Sequence, residues 1–301
     1  MVEKVFITGA TGFIGQYVTR GLAELGLEVK VLLRNRDDCF LKYPNVSSSK
    51  ISLHDTEGLV SLLKEFMPDV VIHLAAIASP THGNISEIYY TNVCGSESLL
   101  DAISIACPVG TKVILTSTAG VYGESNFDLI PETAAYSPVN HYSFSKMSME
   151  LLSRTYMENL DIKIVRPFNI IGMGQKENFL VPKLVKSFHN KERIIRVGNI
   201  ETIRDYSDVY YASRAFIDIA LKDSDLYIFN ICSGFGTSGL QLIDFLKEIT
   251  GFEPIIEVNN VYVRKKDIYR SVGDPSLLKK FIKNAYSNLS VKEILSQMVF
   301  S

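Results

Sequence analysis

The chain has 301 residues, 47% of them hydrophobic, and 31 Lys and Arg against 33 Asp and Glu give a formal net charge of −2. That length buries a large core in one large or two modest domains, and the near-balanced charge supplies no basic excess of the kind that recruits nucleic acid. Four scattered cysteines, Cys39, Cys94, Cys107 and Cys232, lack CxxC or Cys/His spacing, so no disulfide framework and no metal is expected; with no apolar stretch of about eighteen residues and no signal-peptide pattern, a cytoplasmic protein without membrane contact is expected.

The first strand pattern, Lys4 to Thr8, is apolar and runs straight into Gly9 Ala10 Thr11 Gly12 Phe13 Ile14 Gly15. At this spacing Gly9 permits a tight strand-to-helix turn, Gly12 lets backbone N–H groups approach a pyrophosphate, and Gly15 lets the next helix pack down on the strand. A glycine triplet alone is weak, but a helical pattern follows over 13 to 25, with Val18, Leu22 and Leu25 in step and Gly26 as its stop. The stretch therefore reads as a dinucleotide-binding loop whose helix N-terminus faces the phosphates.

The second strand pattern, Glu28 to Leu33, is followed by Arg34, with Arg36 two residues on. A carboxylate here accepts the ribose hydroxyls of NAD, whereas a basic fork accommodates a 2′-phosphate. NADP(H) is therefore favoured and NAD(H) possible, with Asp37 close enough to compete for the ribose. Asp55, after the expected third-strand region, either faces the adenine or is a solvated loop carboxylate. A helix near 57 to 66 leads to the strand Val70 to Leu74, and His73 Leu74 Ala75 Ala76 ends it in residues small enough for a cofactor to lie flat.

A helix over 86 to 106, the strand Lys112 to Ser117, a helix over 142 to 159 and the strand Ile162 to Arg166 complete an alternation of βαβ units. The fold class is α/β, a doubly wound parallel sheet with ligands outside the carboxyl ends of its strands. Beyond Pro167 the elements are shorter; Asp208 to Leu221 reads as a helix and Tyr227 to Cys232 as a strand positioned to rejoin the sheet. The expected division is a cofactor domain of 1–167 plus about 206–232, and a smaller discontinuous domain of about 168–205 and 233–301.

Tyr142 and Lys146 stand four apart, so on a helix they project from one face. A lysine cation there lowers the phenol pKa, and the phenol exchanges a proton with a substrate hydroxyl or carbonyl. On its own such a pair is common on exposed helices. Its partner is Thr116 Ser117 Thr118 Ala119 Gly120 Val121 Tyr122 Gly123, a strand end that puts hydroxyls at the carboxyl edge of the sheet.

With these stretches, and with Asn92 Val93, Gly95 and Arg166 Pro167 Phe168 Asn169, the chain resembles the extended short-chain dehydrogenase/reductase family of sugar-nucleotide epimerases, dehydratases and reductases. The resemblance implies that Thr118 binds the substrate oxygen, Tyr142 is the acid/base, and Lys146 tunes the phenol and contacts the ribose. It implies cofactor contacts at Gly9, Thr11, Gly12, Phe13, Ile14, Gly15, Arg34, Asp55, Leu74, Ala75, Ala76, Asn92, Tyr142, Lys146 and Pro167. Substrate contacts are implied at Ser79, Ser117, Asn169, Lys183, Arg204 and Arg264. Asn140 His141 replaces the family's common Ser-Pro, leaving His141 open as a site-lining or a loop residue. A homodimer through the helices near 86 to 106 and 142 to 159 is implied too, the second carrying Phe144, Met147, Leu151, Leu152 and Tyr156.

The turn after Thr118 narrows the reaction. Ala119 and Gly120 stand where 4,6-dehydratases carry carboxylates, which disfavours dehydration. The stretches Arg166 to Ile171, Arg196 to Asn199, Arg204 Asp205 Tyr206 and Asn230 to Gly234 look like those of GDP-6-deoxy-4-keto-D-mannose reductases, which form GDP-D-rhamnose; reductases of dTDP- or CDP-linked ketosugars share these motifs. A nucleotide diphosphate needs cationic forks, and Arg204 and Arg264 match the family positions for them. The expected activity is NADPH-dependent reduction of the C4 ketone of a nucleotide-linked 4-keto-6-deoxyhexose. The alternatives are a 4-epimerase that retains NAD and a cofactor-sensing protein without chemistry, the latter disfavoured because Tyr142 and Lys146 are both present.

Overall fold

The computed structural model describes residues 2–33, 43–78, 82–259, 268–283 and 285–300. Of the residues singled out above, Arg34, Arg36, Asp37, Cys39, Ser79 and Arg264 lie outside the described residues.

The chain begins β1 (Lys4–Thr8), α1 (Phe13–Glu24), β2 (Glu28–Leu32), β3 (Val46–Ser49), α2 (Thr56–Phe66) and β4 (Val70–His73). It continues α3 (Ile85–Tyr89), α4 (Gly95–Ala106), β5 (Thr111–Thr116), α5 (His141–Ser153), β6 (Leu160–Pro167), β7 (Asn169–Ile171), α6 (Leu180–His189), β8 (Ile194–Val197) and β9 (Ile203–Asp208). Then come α7 (Val209–Leu221), β10 (Ile228–Ile231), β11 (Gly236–Ser238), α8 (Gly239–Thr250), β12 (Ile255–Val258), β13 (Arg270–Ser271), α9 (Ser276–Phe281) and α10 (Val291–Val299).

Seven strands form one sheet in the order β10-β6-β5-β4-β1-β2-β3. The chain builds outward from β1 to β2 and β3, then returns to lay β4, β5 and β6 on the other side, so the winding reverses between β1 and β4. In doubly wound folds that crevice takes the ligand. Every residue of β4 and β5 is buried, as a parallel sheet covered on both faces requires. Thr8 pairs with His73 and His73 with Leu115, so β1, β4 and β5 end level and deliver Gly9, Leu74 and Thr116 to one edge. On one face Leu59, Leu63, Leu99, Ile103 and Met149 close over Phe6, Val71 and Val113.

The chain divides into two compact units, Met1–Val121 with Pro138–Arg166 and Ser213–Phe229, and Tyr122–Ser137 with Pro167–Ala212 and Asn230–Ser301. The division differs from the expected one at 122–137, 167, 206–212 and 230–232. In the second unit β9 is central, flanked by β11 antiparallel and by β13 and β7 in parallel, while β8 and β12 form a separate parallel pair. Its core gathers Leu184 and Phe188 of α6, Leu242 and Leu246 of α8, and Leu295 of α10 around Ile171 and Val197.

Local chemistry sets most boundaries. Asp55 caps α2, Asn140 caps α5, and Ser238 with Gln241 and Ser290 with Glu293 form capping boxes on α8 and α10. The strand expected over Tyr227 to Cys232 is β10 and does rejoin the sheet beside β6. Two expected helices differ. The one over 86 to 106 is interrupted by a π-helical turn at Tyr90–Cys94, and the one over 142 to 159 ends at Ser153 in a 3₁₀ turn, Arg154–Tyr156.

Candidate active site

The glycine loop has the geometry its spacing predicts. Gly9 adopts φ +74°, and a Cβ there would strike the Ala75 nitrogen at 2.5 Å, so the β1 turn presses against the end of β4. A Cβ on Gly15 would collide with the Gly9 carbonyl and Ala10, which fixes the seating of α1. Gly12 differs, since a Cβ there would meet only the Gly9 oxygen, at 3.1 Å. Gly12 and Thr11 are exposed at the N-terminus of α1, which has no side-chain cap and no acidic residue in its first turn. Donor N–H groups and a positive dipole end left uncapped behind a glycine fit a dinucleotide pyrophosphate.

Under this loop runs a directed hydrogen-bond chain. Ala75 N–H donates to Thr8 Oγ1 (3.3 Å), and Thr8 bonds His73 Nδ1 (2.6 Å). His73 Nε2 bonds Ser96 Oγ (2.9 Å), which itself donates to the Asn92 carbonyl (2.7 Å). Because Ser96 spends its proton on that carbonyl, His73 donates from Nε2 and accepts at Nδ1. The imidazole is neutral: complete burial, with Lys146 nearby, pushes its pKa down to about 3.

Asn92, expected to touch the cofactor, is instead fully buried. Its Oδ1 accepts from Ile77 N–H (2.8 Å) and its Nδ2 donates to Ile77 O and Ser145 Oγ (3.1 and 3.0 Å). The π turn aims Asn92 inward to make this clamp, and such turns occur at functional sites. Leu74, Ala75 and Ala76 line the partly exposed segment that the clamp and the chain hold in place.

The helix α5 packs on the end of β5. Lys146 Nζ donates to the Thr116 carbonyl (2.7 Å), and Thr118 hydrogen-bonds the Tyr142 phenol while accepting Gly120 N–H at Oγ1 (3.1 Å). The expected electrostatic effect on the tyrosine is not what dominates. Desolvation of the phenol pushes its pKa up to about 12, with the Thr118 hydrogen bond pulling partly back. Burial lowers Lys146 to about 8, opposed by the nearby Glu150. Tyr142 as a whole residue is half-buried.

Ser117, expected at the substrate, points the other way. It is buried and donates to Glu150 Oε1, and Arg166 holds the same carboxylate through Nε (3.0 and 3.2 Å) and Nη2 (2.6 Å). The spacing of Glu150, four residues beyond Lys146 on the same helix face, is the signal that would have found it. Asp55 is exposed and accepts Gly58 N–H at Oδ1 (2.9 Å) as the α2 cap. His141 is the exposed first residue of α5, its Nδ1 bonded to the Tyr89 hydroxyl (3.2 Å).

The comparisons with known proteins agree with this geometry. Residues 5–232 match the model of the NAD dependent epimerase/dehydratase family. The chain belongs to that family. It is 34% identical over 295 residues to a GDP-6-deoxy-D-talose 4-dehydrogenase of Aggregatibacter actinomycetemcomitans, covering 98% of this chain and 96% of the relative. To a GDP-6-deoxy-D-mannose reductase of Pseudomonas aeruginosa it is 26% identical over 289 residues, 92% and 90% of the two chains. Among solved structures, a UDP-glucose 4-epimerase with UDP-glucose from Thermotoga maritima superposes with a TM-score of 0.84, 29% identity and coverage of 98% and 97%.

As an epimerase/dehydratase family member, the chain is an enzyme with a nicotinamide cofactor. Its second unit holds the remaining candidates. Arg204 and Asp205 lie side by side on β9 and therefore face opposite ways. Arg204, half-buried, bonds the Ile203 and Tyr269 carbonyls through Nη1 (3.0 and 3.4 Å). Asp205 is fully buried and, among the described residues, is held by neutral donors, its carboxylate accepting Ser233 N–H and Oγ–H (both 2.7 Å), Gly234 N–H (2.9 Å) and Gly273 N–H (3.3 Å). Asn169 is exposed at the start of β7 and ties to the Asp205 carbonyl (3.0 Å); Lys183 reaches the Arg196 carbonyl (2.9 Å). Pro167 ends β6. None of the described helices is long and apolar enough to cross a membrane.

Proposed function

We propose that the enzyme reduces the C4 ketone of a GDP-linked 4-keto-6-deoxyhexose with NADPH. The observation that carries this reading is the Thr118–Tyr142 hydrogen bond beside the buried Lys146 at the carboxyl edge of β5. A phenol held up near 12 keeps its proton until a stronger base appears, and the oxygen of a ketone receiving hydride is such a base. When bound, the nicotinamide supplies the hydride. Thr118 orients the ketone oxygen, Tyr142 gives it the proton, and the Lys146 charge favours the tyrosinate left behind.

The names of two relatives bear on the product. Oxidation of 6-deoxy-D-talose at C4, or reduction to 6-deoxy-D-mannose (D-rhamnose), passes through one and the same 4-ketone, and the two alcohols differ only in the face that takes hydride. The higher identity to the talose enzyme, 34% against 26%, moves the reading from GDP-D-rhamnose to GDP-6-deoxy-D-talose. Arg34, directly after the second-strand region, supports NADPH through a 2′-phosphate contact. Arg204 and Arg264 are the forks for the substrate diphosphate. Exposed Phe144 and Leu151 on α5 and Ile105 on α4 support a homodimer through these helices.

The test is turnover of GDP-4-keto-6-deoxy-D-mannose with NADPH or NADH, beside dTDP- and CDP-linked 4-ketosugars, with the product configuration read by NMR. The expected result is stoichiometric NADPH oxidation and an alcohol of D-talo configuration at C4. Tightly retained NAD with no net consumption of reduced cofactor would overturn the reading in favour of a 4-epimerase, the activity named for the Thermotoga maritima structure.

A further inference from the structure

Three consecutive residues at the end of β5 are each held by a side chain from a successive turn of α5. Thr118 bonds Tyr142, the Thr116 carbonyl takes Lys146 Nζ, and Ser117 bonds Glu150. The helical period puts residues 142, 146 and 150 on one face, so the helix and the strand end are tied at three points. The Ser117–Glu150 contact is anchored to a third element, because Arg166 on β6 grips the Glu150 carboxylate through two nitrogens. Glu150 and Arg166 are only 1% and 2% exposed in their side chains. The reading of Tyr142 as proton donor makes no use of either.

A buried ion pair is weak evidence for stability, since apolar residues of the same volume are often as good. Its place here suggests another purpose. We propose that Glu150 is a positioning residue for the reaction: with Arg166 and Ser117 it fixes the strand end carrying Thr118 against the helix carrying Tyr142, and its negative charge keeps Lys146 a cation. This rests on the reading of Tyr142 and Lys146 given above.

The groups around Lys146 make the electrostatic part specific. From β4 comes His73, which is neutral; from β5 the Thr116 carbonyl; from β6 Arg166, already paired; and from α5 itself Tyr142, protonated, and Glu150. Among the described residues Glu150 is thus the anion that counters the cost of burying the ammonium, and its charge opposes the downward pull of burial on Lys146.

The experiment is the pH profile of kcat for the full-length enzyme and its Glu150→Gln variant. Removing the anion should move the alkaline limb to lower pH by about one unit or more, and Glu150→Asp, which keeps the charge, should restore it. Should Glu150→Gln fail to fold because Arg166 is stranded, Glu150→Gln with Arg166→Met removes both charges and carries the same test. A limb that stays in place while only kcat or the melting temperature falls overturns the proposal. Tyr142→Phe separates the two readings. Turnover surviving in that variant removes the catalytic assignment itself, whereas a dead Tyr142→Phe with an unmoved limb in Glu150→Gln removes only the role of Glu150.

Discussion

Tyr142 and Lys146 are perturbed in opposite senses by one cause, the removal of water from both, and this shapes what each substitution should do. Tyr142→Phe deletes the proposed proton donor and leaves the ring in place, so kcat should fall about 10²- to 10⁴-fold with NADPH binding by fluorescence unchanged. Activity within tenfold of the parent would contradict the assignment. Arg34→Asp replaces the proposed phosphate partner with a ribose acceptor and should shift the kcat/KM ratio from NADPH toward NADH; an unmoved ratio turns attention to Arg36. His73 gives a prediction about stability rather than rate. Its native pKa of about 3 lies below the ordinary 6.5, so between these values the unfolded chain binds a proton that the native one refuses. Stability contributed by the neutral buried imidazole is complete above pH 6.5 and is lost as pH falls toward 3. His73→Asn should flatten that part of the urea-midpoint profile, and an identical slope in both proteins refutes the role.

Among the elements, the π turn at Tyr90–Cys94 separates two helices that the sequence reads as one. The apolar periodicity runs through it unbroken, and only the folded chain shows that Asn92 must turn inward to meet Ile77 and Ser145. Asn92→Ala leaves the Ile77 N–H and C=O without those partners, at a cost of about 1–3 kcal/mol in denaturant unfolding. It should also weaken cofactor binding, because Ile77 follows the Leu74–Ala76 segment at the end of β4. A variant as stable as the parent with unchanged NADPH affinity shows that the clamp does not hold that segment.

For the whole molecule, the exposed apolar residues on α4 and α5 predict association. Ile105 is 61% exposed, Leu151 42% and Phe144 40%, whereas Tyr156, counted on the same expected face, is half-buried and donates to Asp101 (2.7 Å). Light scattering at micromolar concentration should give twice the 33.7 kDa chain mass. Phe144→Glu with Leu151→Glu should yield monomers, and because α5 carries Tyr142 and Lys146, lower activity with them. A parent that is already monomeric and fully active removes the interface and its role together.

What the sequence determined by itself was whatever depends on residues close along the chain. The glycine turn, the strand ends and the four-residue step from Tyr142 to Lys146 are local, and periodicity reads them directly; β3 was harder to delimit because Ser47, Ser48 and Ser49 make a polar edge strand. Direction and electrostatic balance were not local. Ser117 and Thr118 are neighbours of the same chemical type, and only the packing of α5 on β5 sends one to Glu150 and the other to Tyr142. The lysine was expected to govern the phenol, but burial governs it, since desolvation depends on every atom that excludes water and no sequence spacing records them. The pairing of Glu150 with Arg166, sixteen residues apart and on different elements, likewise exists only once β6 lies beside β5.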